Sequence, residues 1–330
     1  MGFTISGGIS ITGGVSLTPP GGSPSPSPSP SPSPSYTFQG SNFGYTSGGG
    51  NPDNTNTIDK FSFASDGNAT DVGNLTSNAF GPAGQSSSSH GYATGGLAPP
   101  GLTNIDKFPF SSDSNASNIG DLTAAKWKAQ GQSSADHGYH SGGYNVTPSG
   151  NVFTNEINKF PFASDGNATD MGDLTEARYG AAGQSSDASG YTSGGFAPPT
   201  VNTIDKFPFA SDASATDVGD LTQARRSAAG QSSTASGYTS AGGGTPTGVS
   251  NVIDKFPFSS DSNATDVGDL IDSRQDLAGQ SSTASGYTSG GQPGAVDKSV
   301  IQKFPFSSDS NATDVGDLFE ARHGCSGQQY

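Results

Sequence analysis

The sequence predicts an all-β fold, a six-bladed β-propeller of four-stranded blades, on three observations. A motif of the form "KFPFASDGNATD" recurs six times. Each copy contains four short β-like segments separated by turn residues. The composition also suits short strands and many turns, with 49 Gly and 22 Pro in 330 residues beside 19 Phe and 10 Tyr. A disordered polar chain would share the low hydrophobic content, 30%, but would be poor in aromatics.

The first Phe of the motif serves as a ruler: Phe61, Phe108, Phe160, Phe207, Phe256 and Phe304, spaced by 47, 52, 47, 49 and 48 residues. Four strands in a unit of this length is a propeller pattern. One such sheet leaves both faces wet, and neighbours around an axis cover them.

Within a copy, "AAGQSS" is small and polar, so it is placed as the innermost strand, where blades converge. Gln85, Gln132, Gln184, Gln231, Gln280 and Gln328 would then ring a wet central channel. "GYTSGG" follows as the second strand. The next stretch varies in length, as in "FAPPTVNT" against "YNVTPSGNVFTNE", which marks a surface loop. In "IDKFPF", the third strand, alternation puts Asp and both Phe on one face, and Ile, Lys and Pro on the other. The Phe pair is the apolar filling between blades. The Pro lacks a donor and is expected at a bulge or beyond its neighbour's pairing. "SDGNATD" is the hairpin into the fourth strand, since Gly, Asn and Asp accept turn backbones. Arg178, Arg225, Arg274 and Arg322 recur at one position after that strand. They read as structural cations pairing with a nearby repeat Asp, such as Asp173 or Asp220. The chain ends in "ARHGCSGQQY", another innermost strand, and the first full "GYTSGG" begins at Gly44. The C-terminal strand should therefore close the first blade, with "YTFQGS" at Tyr36 to Ser41 a weaker competitor.

Residues 36–330 are thus the propeller, and two segments precede it. In residues 1–22, Phe3, Ile5, Ile9, Ile11, Val15 and Leu17 are the apolar positions of short strands separated by Gly-Gly. This piece is too small to fold alone. It reads as a β anchor that adds strands to a partner or to copies of itself. Residues 23–35 are a Ser-Pro linker, an extended spacer reaching roughly 40 Å at about 3 Å per residue.

A net charge of −15 disfavours nucleic acid as a partner. No window approaches 18 consecutive apolar residues, so no membrane insertion is expected. The first residues have neither a basic region nor an apolar block, so no secretory signal is expected. Cys325 stands alone, which excludes an internal disulfide framework. No nucleophile elbow or phosphate loop occurs. His90, His137, His140 and His323 lack metal-ligand spacing, and His137 with His140 reads as polarity at a blade edge. A non-enzymatic role is expected.

Two candidate sites stand out. Asp165, Asn167 and Asp170 offer oxygens at alternating positions, like the start of a Ca²⁺ loop. The sixth position, which should be Gly, is Asp170, so the turn reading is preferred and no cofactor is expected. Asn68, Asn115, Asn167, Asn263 and Asn311 form glycosylation sequons, which the repeat already explains. The variable loops carry Tyr144, Phe153 and Phe196, aromatic rings on polar loops that suit carbohydrate contact.

The order Arg178, small strand, Tyr191 to Gly195, variable loop, Ile204 to Phe209 resembles a kelch-type blade. The resemblance covers residues 40–330, but the fourth-strand Trp of kelch blades is absent; the single Trp is Trp127. The "FTISGG" opening and repeats of the "DKFPFASDGNATDVGDL" type resemble virion structural proteins of marine, especially cyanobacterial, phages. That resemblance implies a virion or extracellular appendage. The N-terminal segment would join other virion or fibre subunits in a homo-oligomeric assembly, and the head would contact host glycans. The alternatives are a structural subunit polymerising into a fibre or sheath, and a propeller glycosidase.

Overall fold

The computed structural model describes residues 39–245 and 248–330. Its internal contacts divide the chain into Met1–Ser35 and Tyr36–Tyr330. Phe3, Ile5, Ile9, Ile11, Val15 and Leu17, with the Ser-Pro linker, lie outside the described residues.

The described chain is all-β and propeller-like. Six antiparallel four-stranded sheets occur, numbered here in chain order. Sheet 4 shows the plan: inner strand Ala182–Ser185, then Ser189–Ser193, Thr203–Pro208 and Thr216–Asp220. Sheet 1 differs in taking its inner strand from the other end of the chain. Ser326–Gln329 pairs with Phe43–Ser47, with Thr46 opposite Gly327. In the described part of the competing segment Gly40 forms a bridge with Ser282 and no strand, and Tyr36 to Phe38 lie outside the described residues. A small three-stranded sheet of Lys126–Trp127, Tyr144–Thr147 and Gly150–Phe153 is inserted in the third copy.

The third strand behaves as its alternation predicts. Phe108 and Phe110 of sheet 2 pack on Tyr45, Ile58 and Leu75 of sheet 1. The same contact recurs at each step: Tyr45, Tyr92, Tyr139, Tyr191 and Tyr238 each meet the Phe pair of the next sheet, and Tyr287 meets Phe61 and Phe63 of sheet 1. Burying a Phe contributes about 1.5–3 kcal/mol, so these rings dominate the core. The Gly before each Tyr lies under the Phe ring of its own sheet; a Cβ at Gly190 would sit 2.3 Å from Phe207. The fourth strand's pairing stops at Lys206 opposite Thr216, two residues short of Pro208, so the Pro costs no ladder bond there.

The inner glutamines are not channel residues. Gln85, Gln132, Gln184, Gln231, Gln280 and Gln328 are at most 2% exposed. Each donates from Nε2 to the carbonyl of Tyr139, Tyr191, Tyr238, Tyr287, Tyr45 or Tyr92 respectively, in the second strand of the neighbouring sheet. A buried amide must spend its donors on protein acceptors, and the Tyr carbonyl of the neighbouring sheet is the one in reach. The axis belongs to glycine instead. A Cβ on Gly131 would lie 1.9 Å from the carbonyl oxygen of Gly84, and Gly183, Gly230, Gly279, Gly327 and Gly84 meet the preceding Gly in the same way at 2.0–2.4 Å.

The buried arginines also choose another partner than expected. Arg178 Nη2 lies 2.8 Å from Asp205, Arg225 Nη2 2.6 Å from Asp254 and Arg322 Nη2 3.2 Å from Asp59. The acid is the third-strand Asp of the next sheet, not Asp173 or Asp220. Those two donate backbone N–H groups to Ser214 and Asn263 at the hairpin side. Where the third-strand acid becomes Gln302, Arg274 pairs with Asp272 instead. Where the cation is Lys126, the facing residue is Asn158 and Glu156 supplies the charge at 2.6 Å. Where the cation is lost to Ala79, Asp106 accepts from Thr76 alone on that side. His140 is likewise not surface polarity: it is fully buried, with Nδ1 at 2.9 Å from Thr94 Oγ1, and burial holds it well below its usual pKa.

Two substitutions test the axis. Gly131→Ala should lower stability by about 1–3 kcal/mol or more by overpacking. Gly166→Ala, with nothing within 4 Å, should stay within about 0.5 kcal/mol of the parent in the same denaturant titration. Two more test the buried acids. Asp254→Asn should cost about 3–5 kcal/mol, because Arg225 is left buried without its counter-charge. Asp106 has no cation, and burial raises its pKa above 3.8. Its stabilising contribution is full below that value and is lost as pH rises through the folded pKa. Asp106→Asn should therefore be near neutral at pH 7 and flatten the loss of stability from pH 4 upward.

Candidate functional site

In each sheet the variable loop after Gly-Gly and the link after the fourth strand emerge at one end. The hairpins emerge at the other. The two faces are built differently. On the hairpin face one pattern recurs. Asn68, Asn115, Asn167, Asn263 and Asn311 accept from a backbone N–H of the preceding sheet, so the sequon side chains are stitches. Six Lys–Asp pairs run between neighbouring sheets, such as Lys107 to Asp165 at 2.7 Å and Lys206 to Asp261 at 2.9 Å. Their half-exposed acids make each pair worth little alone.

The calcium candidates are accounted for by the same pattern. Asp165 pairs with Lys107, Asn167 accepts from Asp121 N–H at 3.0 Å, and Asp170 accepts from Gly172 N–H at 3.1 Å. Among the described residues no three His, Cys, Asp or Glu gather as a metal-binding group.

The loop face is where the copies differ. The residue after the buried cation is Phe80, Trp127, Tyr179, Arg226, Gln275 or His323. Each pairs with the residue that follows Gly-Gly, as Tyr179 does with Phe196 and Trp127 with Tyr144. Two consecutive copies put rings at both positions, Trp127 with Tyr144 and Tyr179 with Phe196. Trp127 stacks on Tyr144 with centroids 5.0 Å apart, and Tyr144 stacks on Tyr179 at 4.3 Å. Phe153 lies 5.2 Å from Tyr144 and 6.0 Å from Phe196, edge-on to the latter. The guanidinium of Arg226 sits 4.9 Å over Phe196. The structure thus brings Tyr144, Phe153 and Phe196 together, although they come from two copies of the repeat. It also shows that both faces of Tyr144 are covered, so its edge and hydroxyl are what it can offer. Burial, then the Tyr179 hydroxyl, pushes the Tyr144 phenol up, and Arg226 draws it back down.

Sequence reasoning missed Trp127, Tyr179 and Arg226. The signal was there: the position after the cation differs in every copy, while the Gly-Gln of the inner strand that follows is the same in all six.

At the centre of this face the next residues form a collar. Lys128 N–H donates to Gly81 C=O, Gly180 to Lys128, Ser227 to Gly180, Asp276 to Ser227, Gly324 to Asp276, and Gly81 to Gly324. All six have left-handed φ of 52–64°. Three are not Gly, at a cost of about 1–2 kcal/mol each. Two of those three use their side chains across the collar: Lys128 Nζ is 2.8 Å from Asp276 Oδ1. They stand three steps apart in the cycle of six, on opposite sides of it. Beneath lies a cavity of about 100 Å³ lined by the inner strands.

Compared with protein-family models and with curated proteins, the chain matches none.

Trp127 is the single Trp and sits inside the aromatic cluster. Tyr144→Ala should shift its fluorescence emission to the red by opening one ring face to water. Phe196→Ala, which does not touch it, should leave the spectrum unchanged.

Proposed function

We propose that this chain is a six-bladed β-propeller of kelch-like blades, closed by Ser326–Gln329, that serves as a non-enzymatic virion appendage. Its N-terminal segment anchors it to the particle, and its loop face contacts host surface glycans. One observation carries this reading: departures from the repeat gather on the loop face, while the chain enters on the other. Gln39 donates to the Ser232 carbonyl and Gly40 to the Ser281 carbonyl, at the ends of the inner strands away from the collar. Gln39 and Gly40 thus lie on the face opposite the aromatic cluster. The succession of contacts between second-strand Tyr and third-strand Phe, from Tyr287 on Phe61 back to Tyr45 on Phe108, supports the closed arrangement. The likeness to phage virion proteins supplies the setting.

A second reading, a subunit that polymerises into a fibre or sheath, is favoured by one departure. Four copies place Thr after the fourth-strand Leu, and its hydroxyl bonds the acid or amide of the next sheet. The other two place Ile271 and Phe319 there, 56% and 61% exposed. Asp59 Oδ1 is left buried without a partner. Exposed apolar groups gained at the loss of a buried hydrogen bond suit a contact between subunits.

Electron microscopy of the full-length protein beside residues 36–330 separates the two. Isolated ring-shaped heads in both samples support the appendage. Filaments formed by the full-length protein alone would replace it with the structural subunit.

A further inference from the structure

We infer that the aromatic face binds an acidic glycan, one carrying carboxylate or sulfate groups, with Arg226 as the residue that selects for the acid. This rests on the glycan-contact reading above and names the class of sugar.

The argument starts from charge. The chain carries 14 Lys and Arg against 29 Asp and Glu. In so acidic a protein a basic side chain finds a carboxylate readily, and twelve of the fourteen do. The two without an ion pair are Arg226 and Lys298. Arg226 stands at the position that is Phe80, Trp127, Tyr179, Gln275 or His323 in the other copies, so the repeat does not require a cation there. Its backbone is fixed by two bonds with Gly243, N–H to C=O in both directions. Its guanidinium is laid on Phe196 and left open to an outside acceptor.

An Arg held flat on an aromatic ring keeps its N–H fork free along its edge, and that fork matches a carboxylate or sulfate. Beside it are the surfaces a sugar needs. Phe153 and Phe196 are half-buried rings that meet edge-on. The Tyr144 and Tyr179 side chains add hydroxyls within the same cluster. Apolar edges, hydroxyls and one unneutralised guanidinium within one patch fit a sugar ring bearing an acid group. A neutral sugar would leave the guanidinium unanswered. The net charge of −15 repels polyanions in general, so binding must come from this local contact and not from the overall field.

The test uses the full-length protein and three immobilised polysaccharides: alginate as a polyuronate, a sulfated galactan, and neutral dextran. Three proteins are compared: the parent, Arg226→Gln, and Lys298→Gln. Lys298→Gln removes the other unpaired cation and changes the net charge equally. The expected result is binding to alginate or the sulfated galactan and not to dextran. Arg226→Gln should weaken it at least about tenfold, and Lys298→Gln should leave it within about twofold. Thermal unfolding confirms that both variants are folded. Equal binding to dextran overturns the acidic inference and leaves glycan contact standing. Equal weakening by both variants, or none by Arg226→Gln, overturns the role of Arg226. Failure to bind any of the three overturns the inference together with the glycan reading beneath it.

Discussion

The structure depends on what is missing at the axis. Each inner strand presents a Gly whose Cβ would fall within about 2 Å of the preceding strand's Gly carbonyl. Without the side chain, the six strands approach closely enough for Cα–H to meet C=O. Such contacts are weak individually but recur six times in one direction. Everything farther out follows from that approach. It sets the angle at which Tyr of one sheet meets the Phe pair of the next. It also sets the depth at which each Gln amide reaches the neighbouring Tyr carbonyl, and the distance over which Arg178 finds Asp205. Bulk at the axis would open all of these at once, because they are rungs between the same pairs of sheets.

Much of this was legible in the sequence, and the reason is the repeat. Six spaced copies report four strands per unit, and alternation in "IDKFPF" reports which face each side chain takes. Alternation does not report which neighbour that face meets. The inner Gln was expected at the axis because small polar strands suggest a wet channel. In the structure Gly and Gln are adjacent in that strand and take opposite faces, so where Gly lies against the preceding sheet Gln reaches the next one. The Arg partner was misjudged for a related reason. Asp173 and Asp220 are near in sequence, but the buried acid lies one sheet onward, at the third strand. The copies themselves encode it. Where that acid is Gln302 the Arg carries its own Asp272, and where it is Asn158 the cation is Lys126 with Glu156. Compensation of this kind is visible in one sequence when the units are laid side by side.

The loop face was less legible, because its contacts join residues from different copies. Tyr144 and Phe153 were visible as loop aromatics, whereas Tyr179 sits in what looks like a repeat link. Only the hydrogen-bonded pairing of Tyr179 with Phe196 shows that link and loop form one surface. The hairpin face could not vary in this way. Its Asn and Asp side chains bond the sheet before them, so a change there breaks contacts between sheets.

The collar extends the same logic to the backbone. Its six residues all need a left-handed conformation, and Gly meets that need without strain at three of them. At Lys128, Ser227 and Asp276 the strain is accepted. A structural device would be served better by Gly throughout, as the axis just below is. Lys128 and Asp276 instead reach across the opening, and Lys128 also lies 5.6 Å over Phe80 and 5.9 Å over Trp127. The ion pair therefore ties the mouth of the axis to one end of the aromatic row, while Arg226 stands at the other end. Two basic residues bracket that row. One is neutralised by its own acid across the collar and the other has no ion pair, so the acidic ligand proposed above would be held at the Arg226 end.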